Sequence, residues 1–437
     1  MSGVRQAART LGMLGLLTAV APVNLVVTGV ALLRSVVVHP ERAVPERPLT
    51  VLVSGGKMTK ALQLARSFHA AGHRVVLVEQ GTYRLTGHRF SRAVDRFHVV
   101  PAPDDPGYTE ALLAVVRAEG VDVYVPVCSP VASYHDALAK AALSPFCEVV
   151  HLDPDQLRDV DDKDRFAELA ESLGLRVPET HRITDPAQVV AFDFGATGRT
   201  YVLKSIAYDP VRRLDLTPLP RPTPAETAAF ASALPISADN PWILQEFVVG
   251  QEYCTHGTVR GGEVQVWACC ESSASQLNYA EVDKPAIEAW VRTFCRATGV
   301  TGQLAFDFIE DAAGEVVAIE CNPRTHSAIT MFRDHPDLAR AYLEDGVGPI
   351  APLPTSRPTY WLYHEVWRLA TQPGVRRARL RTILAGTDAI FSVDDPLPFL
   401  MVHHVHIPWL LLQNLRRGGS WVKIDVNIGK LVEPGGD

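Results

Sequence analysis

The segment "GQLAFDFIEDAAGEVVAIECNPR" (Gly302–Arg324) holds one carboxylate, Asp307, before a turn at Gly314, and Glu320, Asn322 and Arg324 after it. Both flanks are apolar and strand-like, so a tight turn folds them into a hairpin and brings Asp307 opposite the second set. Alternate residues of a strand face one way, which puts Glu320, Asn322 and Arg324 on a common face. Two carboxylates and an amide oxygen converging on one point make a hard oxygen site suited to Mg2+, with phosphate oxygens as its other ligands. Arg324 keeps the same parity and can clamp a phosphoryl group or a carboxylate in a fork. The plainer alternative is a charged strand face turned to water.

The elements around this hairpin must hold it against a substrate. Upstream, Asp161 or Asp162 can cap a helix with the stripe Phe166, Leu169, Ala170 and Leu173, and Lys163 sits at its start. Lys204 lies on the strand "TYVLKSI". After it come "WILQEFVVGQEY", "EVQVWACCE" and a helix around Ile287–Thr298. Antiparallel sheet together with these helices predicts an α+β domain over residues 156–350. Earlier, "VLVSGGKMTK", "RVVLVE", "RFHVV" and "VDVYVPV" alternate with helical stretches, the first over Lys57–Ala71. That rhythm predicts a parallel α/β domain over residues 49–155, with ligands at the carboxyl ends of its strands. Those ends are Ser54-Gly55-Gly56-Lys57 and Cys128-Ser129-Pro130. The first is not a P-loop: Val51 stands where the leading glycine belongs, and Met58 follows the Gly-Lys pair. It reads either as a purely structural turn or as a substrate edge with free N–H groups at a helix start. Residues 351–437 form a C-terminal region.

The order of these pieces, D-x-F…E-x-N-P-R downstream of L-Q-E-F-V-x-G-x-E, resembles the ATP-grasp ligase superfamily. The resemblance implies an ATP-grasp fold preceded by a parallel α/β substrate domain, with ATP and Mg2+ as cofactors. It implies Lys163 and Lys204 on the ATP phosphates, Gln245, Glu246, Phe247 and Val248 at the hinge reading adenine, and Glu252 on the ribose hydroxyls. Asp307 and Glu320 match the magnesium pair, with Asn322 beside them. Many members carry a glycine-rich lid; "SIAYDPVRRLDL" has no glycine, and Arg212 or Arg213 can supply cationic clamping instead.

Three longer strings, "SGGKMTKALQLARSFHAAGHRVVLVE", "DVYVPVCSPVASY" and "ECNPRTHSAITMF", look like the mycosporine-glycine synthase branch of that superfamily. The likeness runs from about Leu49 to the C-terminus, and it implies a ligase joining glycine to 4-deoxygadusol. On that reading Ser54, Gly55, Gly56, Lys57, Cys128, Ser129, Arg324, Thr325, His326 and Ser327 surround the cyclohexenone. Arg324 then meets the phosphoryl intermediate or the glycine carboxylate, and Lys204 is a catalytic cation. His326 takes a proton from the glycine ammonium or makes a structural hydrogen bond. Two further readings compete: an ATP-grasp ligase for another acid and amine, such as a dipeptide ligase, and a membrane-tethered nucleotide-binding protein without turnover. Intact Asp307, Glu320, Lys163 and Lys204 speak against the last.

Composition narrows the partners. A net charge of -7 and a pI near 6.1 argue against nucleic acid and for small-molecule substrates; a homodimer is compatible with both. The seven cysteines include no C-x-x-C pair and read as reduced and cytosolic. Leu11–Leu33 carries no charge and is long enough to span a bilayer. Residues 1–48 therefore read as a membrane anchor and linker, with the body in the cytosol. The anchor spans, or dips in as a hairpin broken at Pro22 and Asn24. Its alternatives are a cleaved signal peptide and a buried apolar helix. At the other end, His403, His404 and His406 lie in "PFLMVHHVHIPWLLLQNLRRGG", which reads as an apolar surface helix rather than a metal site, because no carboxylate or cysteine joins them.

Overall fold

The computed structural model describes residues 2–38, 42–127, 129–207, 212, 215–272 and 278–433. Of the residues singled out above, Cys128 and Arg213 lie outside this set. Helix α1 (Ser2–Val37) precedes a sheet of β1 (Thr50–Val53), β2 (Arg74–Gln80), β3 (Arg96–Val100), β4 (Val123–Val125) and β5 (Glu148–Val149). All pairs are parallel and the order is β3-β2-β1-β4-β5. The strand order reverses at β1, so the crevice beyond the ends of β1 and β4 is the topological switch point. Helices α2 (Thr59–Ala70), α3 (Tyr108–Glu119) and α4 (Pro130–Leu143) pack on this sheet. Expected strand 121–127 is shorter than read, because Pro126 cannot donate to a ladder.

Two short helices follow, α5 (Pro154–Asp161) and α6 (Lys163–Ser172). The first has no counterpart in the sequence reading; the second begins at Lys163, with Asp162 at its N-cap position. A small antiparallel sheet holds β6 (Thr180–Ile183), β7 (Tyr201–Ser205) and β8 (Trp242–Glu246) in the order β6-β8-β7. The stretch "WILQEFVVGQEY" is therefore interrupted: β8 stops at Glu246 and β9 (Gly250–Arg260) begins a second sheet. That sheet contains β9, β10 (Glu263–Glu271), β12 (Gly302–Asp311) and β13 (Val316–Asn322), in the order β10-β9-β12-β13; β11 (Asn278–Tyr279) pairs elsewhere.

One face of the larger sheet buries an aromatic core. Phe306 and Phe308 of β12 meet Phe166 of α6 and Trp290 and Phe294 of the helix Pro285–Thr298, whose rings stack at 5.4 Å. Because side chains alternate along a strand, burying Phe306 and Phe308 turns Asp307 to the opposite, open face.

The region after residue 350 shares a core with the N-terminal sheet. Val51 and Val53 belong to the same buried cluster as Phe332, Tyr342, Phe399, Leu411 and Trp421, with Leu17 of α1. Helix α1 is continuous through Pro22 and Asn24, so no hairpin forms. Its buried residues, Thr10, Leu17, Asn24, Thr28 and Ala31, fall on one stripe. The apolar tail folds as the helical run Leu397–Arg417, and its histidines are dispersed: His403 bonds the Phe399 carbonyl, His406 the Gly429 carbonyl, and His404 the Asn24 amide.

Candidate active site

Asp307 and Glu320 are direct cross-strand partners in the β12–β13 hairpin. Just past this pair the register shifts, Phe308 pairing with Ala318, so Ile319 is the extra residue of a β-bulge. The bulge reverses the alternation: Ala318 packs with Phe308 in the core, while Glu320 and Asn322 turn to the open face beside Asp307. The Asn322 amide donates to Asp307 Oδ2 at 3.1 Å and to Glu320 Oε1 at 3.3 Å, and its carbonyl accepts from Arg324. Arg324 also reaches Asp161 at 4.0 Å.

Lysines stand over this pair. Lys163 Nζ is 3.8 Å from Glu320 Oε2. Lys204 donates to Gln245 Oε1 at 2.9 Å, and the Gln245 amide donates to Thr180 at 3.2 Å. Burial lowers the Lys204 pKa, opposed chiefly by Glu320. Burial works against charge on Glu320 too, yet Lys163 and Lys204 hold its carboxyl below the usual range. Asp307, desolvated beside that anion, is pushed well up. Two carboxylates that face each other, one with its charge strongly opposed by burial and by the other, form a donor set that a divalent cation relieves. Asn322 can offer its carbonyl to that cation only after its amide rotates away from the present contacts. Among the described residues there is no group of three or more His, Cys, Asp or Glu gathered as a metal cluster, so Asp307, Glu320 and Asn322 are the donors to weigh.

The break between β8 and β9 lies beside these lysines. Phe247 donates its N–H to the Thr200 carbonyl at 2.7 Å, and Val248 follows in the irregular link before β9. Glu246 sends its carboxylate away, to Arg199 and the Glu179 N–H, both at 3.2 Å, so only its backbone is available to a ligand at this hinge. Glu252 accepts from Ser272 at 3.2 Å. Arg212 occupies a turn whose carbonyl accepts from the Asp215 N–H, within the stretch 205–216, half of which lies outside the described residues.

The second half of the site is the crevice of the parallel sheet. Gly55 has φ +65°, and a Cβ there would lie 2.1 Å from the Val127 carbonyl oxygen; only glycine lets β1 turn this tightly beside β4. Ser54 accepts from the Val127 N–H. The Gly56 carbonyl receives Thr86 and His88, at 3.1 and 3.0 Å. Lys57 is buried, 3.9 Å from Glu79 and 4.0 Å over the Tyr83 ring. Ser129 caps α4.

The run Arg324–Ser327 joins the two halves. Lys60 of α2 donates to the Thr325 carbonyl at 2.5 Å, and Thr325 donates to Gln303 at 2.6 Å. The His326 N–H donates to His256 Nδ1 at 3.2 Å, and the His326 ring meets Tyr279 edge-on. His256 is fully buried, which pushes it down to about 3; accepting at Nδ1, its neutral ring carries the proton on Nε2, toward Thr258 and Tyr342. Ser327 exchanges hydrogen bonds with Asn427, whose carbonyl accepts from the Thr59 N–H, and Trp361 donates to the Thr59 hydroxyl. His256, Gln303, Tyr342, Trp361 and Asn427 are thus parts of the site that the motifs did not include. His256 and Gln303 had a signal, as polar residues inside buried strands; Asn427 had none.

No protein-family model matches the chain, and no curated protein matches it. Solved structures do. The chain is similar to N5-carboxyaminoimidazole synthetase from Staphylococcus aureus complexed with ADP (16% identity, TM-score 0.52, 71% of this chain and 80% of that one). It is similar to the biotin carboxylase domain of a single-chain bacterial carboxylase (17%, 0.53, 70% of each). It is also similar to biotin carboxylase from Campylobacter jejuni in a complex with an ATP analogue (13%, 0.51, 68% and 72%). These are ATP-grasp structures, and the chain has the ATP-grasp fold.

Proposed function

We propose that this protein is an ATP- and Mg2+-dependent, ADP-forming carbon–nitrogen ligase that activates an acidic oxygen by phosphorylation and hands the activated carbon to an amine. The observation that carries the reading is the pairing of Asp307 with Glu320 under Lys163 and Lys204, continued within a few residues into the Arg324–Ser327 run on the acceptor crevice. A Mg2+ held there would supply positive charge to the phosphoryl group being transferred. Asp307 and Glu320, with Asn322 after rotation of its amide, hold it. Lys163 and Lys204 fix the phosphates, and backbone groups of Gln245–Val248 face the base.

For the substrates we take 4-deoxygadusol and glycine, a pair that rests on the three sequence strings. An enol oxygen is a poor leaving group. Attack of that oxygen on the γ-phosphorus releases ADP and makes an enol phosphate. The glycine nitrogen then bonds to the ring carbon, the carbon–oxygen bond to phosphate breaks, and the nitrogen loses a proton, leaving an enaminone. In this reading Arg324 holds the phosphoryl group or the glycine carboxylate, and His326 takes the proton. On this reading the catalytic body is cytoplasmic, and α1 holds it at a membrane.

The test is to incubate purified protein with ATP, Mg2+, glycine and 4-deoxygadusol. ADP and a chromophore absorbing at longer wavelength than the enolone are expected. ADP formed only with another acid or amine keeps the ligase and rejects this substrate pair; no ADP with any acid–amine pair rejects the ligase.

A further inference from the structure

Helix α1 inverts the usual pattern of a surface helix. Its inner stripe contains the polar residues: Thr10 accepts from the Trp421 indole at 2.9 Å, and Asn24 bonds Tyr363 at 2.6 Å and His404 at 2.7 Å. Its outer face has no charge from Leu11 to Leu33 and exposes Leu11, Leu16, Val23, Val26, Val30 and Leu33. A helix whose inner stripe mixes Leu17 and Ala31 with hydrogen-bonded polar residues, and whose outer face is uncharged and largely apolar, has an apolar environment outside. A core helix is ruled out, because only about a fifth of its most apolar window is buried (22%).

The contacts decide how that face meets its surroundings. Arg9 stacks on Trp421 at 3.8 Å and donates to the carbonyls of Trp421 and Val422. Asn24 is held mid-helix, and Leu32 and Ser35 line a cleft with Phe90, Arg92 and Asp394–Leu397. The helix therefore lies along the body from its first turns to its last. A helix crossing the ~30 Å hydrocarbon layer would drag Tyr363, His404 and the 397–417 segment in with it. That segment shares its core with the catalytic sheet.

We infer that α1 is an in-plane anchor: its outer face seats in one leaflet of a bilayer while its inner face stays on the protein. The inference rests on the membrane association proposed above and specifies its geometry. The charges fit an anionic leaflet. Arg5 and Arg34 flank the apolar face. From Tyr363, which touches Asn24, the chain continues into a helical hairpin (Leu362–Thr371 and Arg376–Ala385) that exposes Trp367, Leu380 and Leu384 beside the exposed Arg377 and Arg381. Aromatic, leucine and arginine side chains together suit the headgroup boundary.

The full chain, diluted from mild detergent onto preformed vesicles, should float with phosphatidylcholine–phosphatidylglycerol vesicles. The triple variant Val23→Glu, Val26→Glu, Val30→Glu, altered only on the outer face, should fold normally and stay below. Arg377→Glu with Arg381→Glu should weaken binding about 25-fold or more on the anionic vesicles only. Single variants Val4→Cys and Val37→Cys, at exposed ends of the helix, should both react fully with a membrane-impermeant maleimide before detergent is added. Protection of either end means that the helix spans, which overturns the in-plane geometry and keeps membrane association. A wild-type chain that stays below, alone or as a dimer of two such faces, overturns the membrane reading itself. An unchanged affinity of the arginine variant overturns the anionic preference.

Discussion

Asp307→Asn separates a cation-holding carboxylate from a structural one by the sign of its effect on stability. Asp307 and Glu320 both accept from one Asn322 nitrogen, at 3.1 and 3.3 Å. Holding Asp307 beside Glu320 costs stability in either form: as an anion within about 6 Å it repels Glu320 by about 3 kcal/mol at an effective dielectric near 20, and as the acid it carries a proton that the unfolded chain gives up near neutral pH. Lys163 lies close to Glu320, whose side chain is 33% open to solvent, and both facts reduce the net repulsion to about 1–2 kcal/mol. Asparagine keeps the shape and an acceptor and removes the charge. In chelator the variant should therefore melt roughly 2–5 °C above the wild type. Mg2+ with nucleotide should raise the melting temperature of the wild type and leave the variant where it is. ADP release should fall by roughly a hundredfold or more, since the group acts in the transition state. Thermal denaturation in the two buffers, beside the ADP assay, decides it. A variant that melts lower in chelator, or that turns over at the wild-type rate, refutes the reasoning.

Asp395 should govern part of the acid limb of stability. It accepts from Arg66 at 2.8 Å, Ser91 at 2.6 Å and the Arg92 N–H at 3.0 Å. Burial opposes its charge, but these donors hold its carboxyl below the usual range. Its contribution is complete above the unfolded-state carboxylate range near 4 and is lost as pH falls through the lower folded value. Asp395→Asn should cost about 3 kcal/mol near neutral pH and less in acid, as urea titrations at both pH values will show. Gly429→Ala places a Cβ 2.2 Å from the Lys57 carbonyl at φ +63°; it should raise the KM for the acceptor and leave nucleotide affinity unchanged in a binding titration. Phe306→Ala empties the centre of the aromatic cluster and should lower the unfolding free energy by about 3–5 kcal/mol in guanidinium.

The parallel sheet was readable because β1, β3 and β4 are short apolar runs each followed by a helix, although β2 reaches β3 through short turns alone. That Asp307 and Glu320 lie near each other across a hairpin was readable from the turn at Gly314, but their direct opposition was not: an unbroken ladder from Glu310–Val316 would set Asp307 against Ile319. The bulge at Ile319 was not, because nothing in "VVAIEC" marks where a ladder slips. The break after Glu246 came only from resemblance, since "WILQEFVVGQEY" looks like one strand by composition. Pro22 suggested an interruption in α1 that packing overrides: the stripe from Thr10 to Ala31 is held at several points by the body. The acceptor end of the site was least readable. His256, Gln303, Tyr342, Trp361 and Asn427 come from separate elements and meet only through tertiary contacts.

The loop at Asn427–Gly429 closes over Lys57 and Thr59, residues made long before it. The nucleotide end, from Lys163 to Arg324, is fully translated before the chain reaches that loop. On the ribosome the crevice of the parallel sheet therefore waits for that wall until the 427–429 loop has emerged, and until then the half that holds Lys163 and Glu320 stands beside an open partner. Any extension fused after Val432 should be given slack, because tension there pulls on the wall of the acceptor crevice.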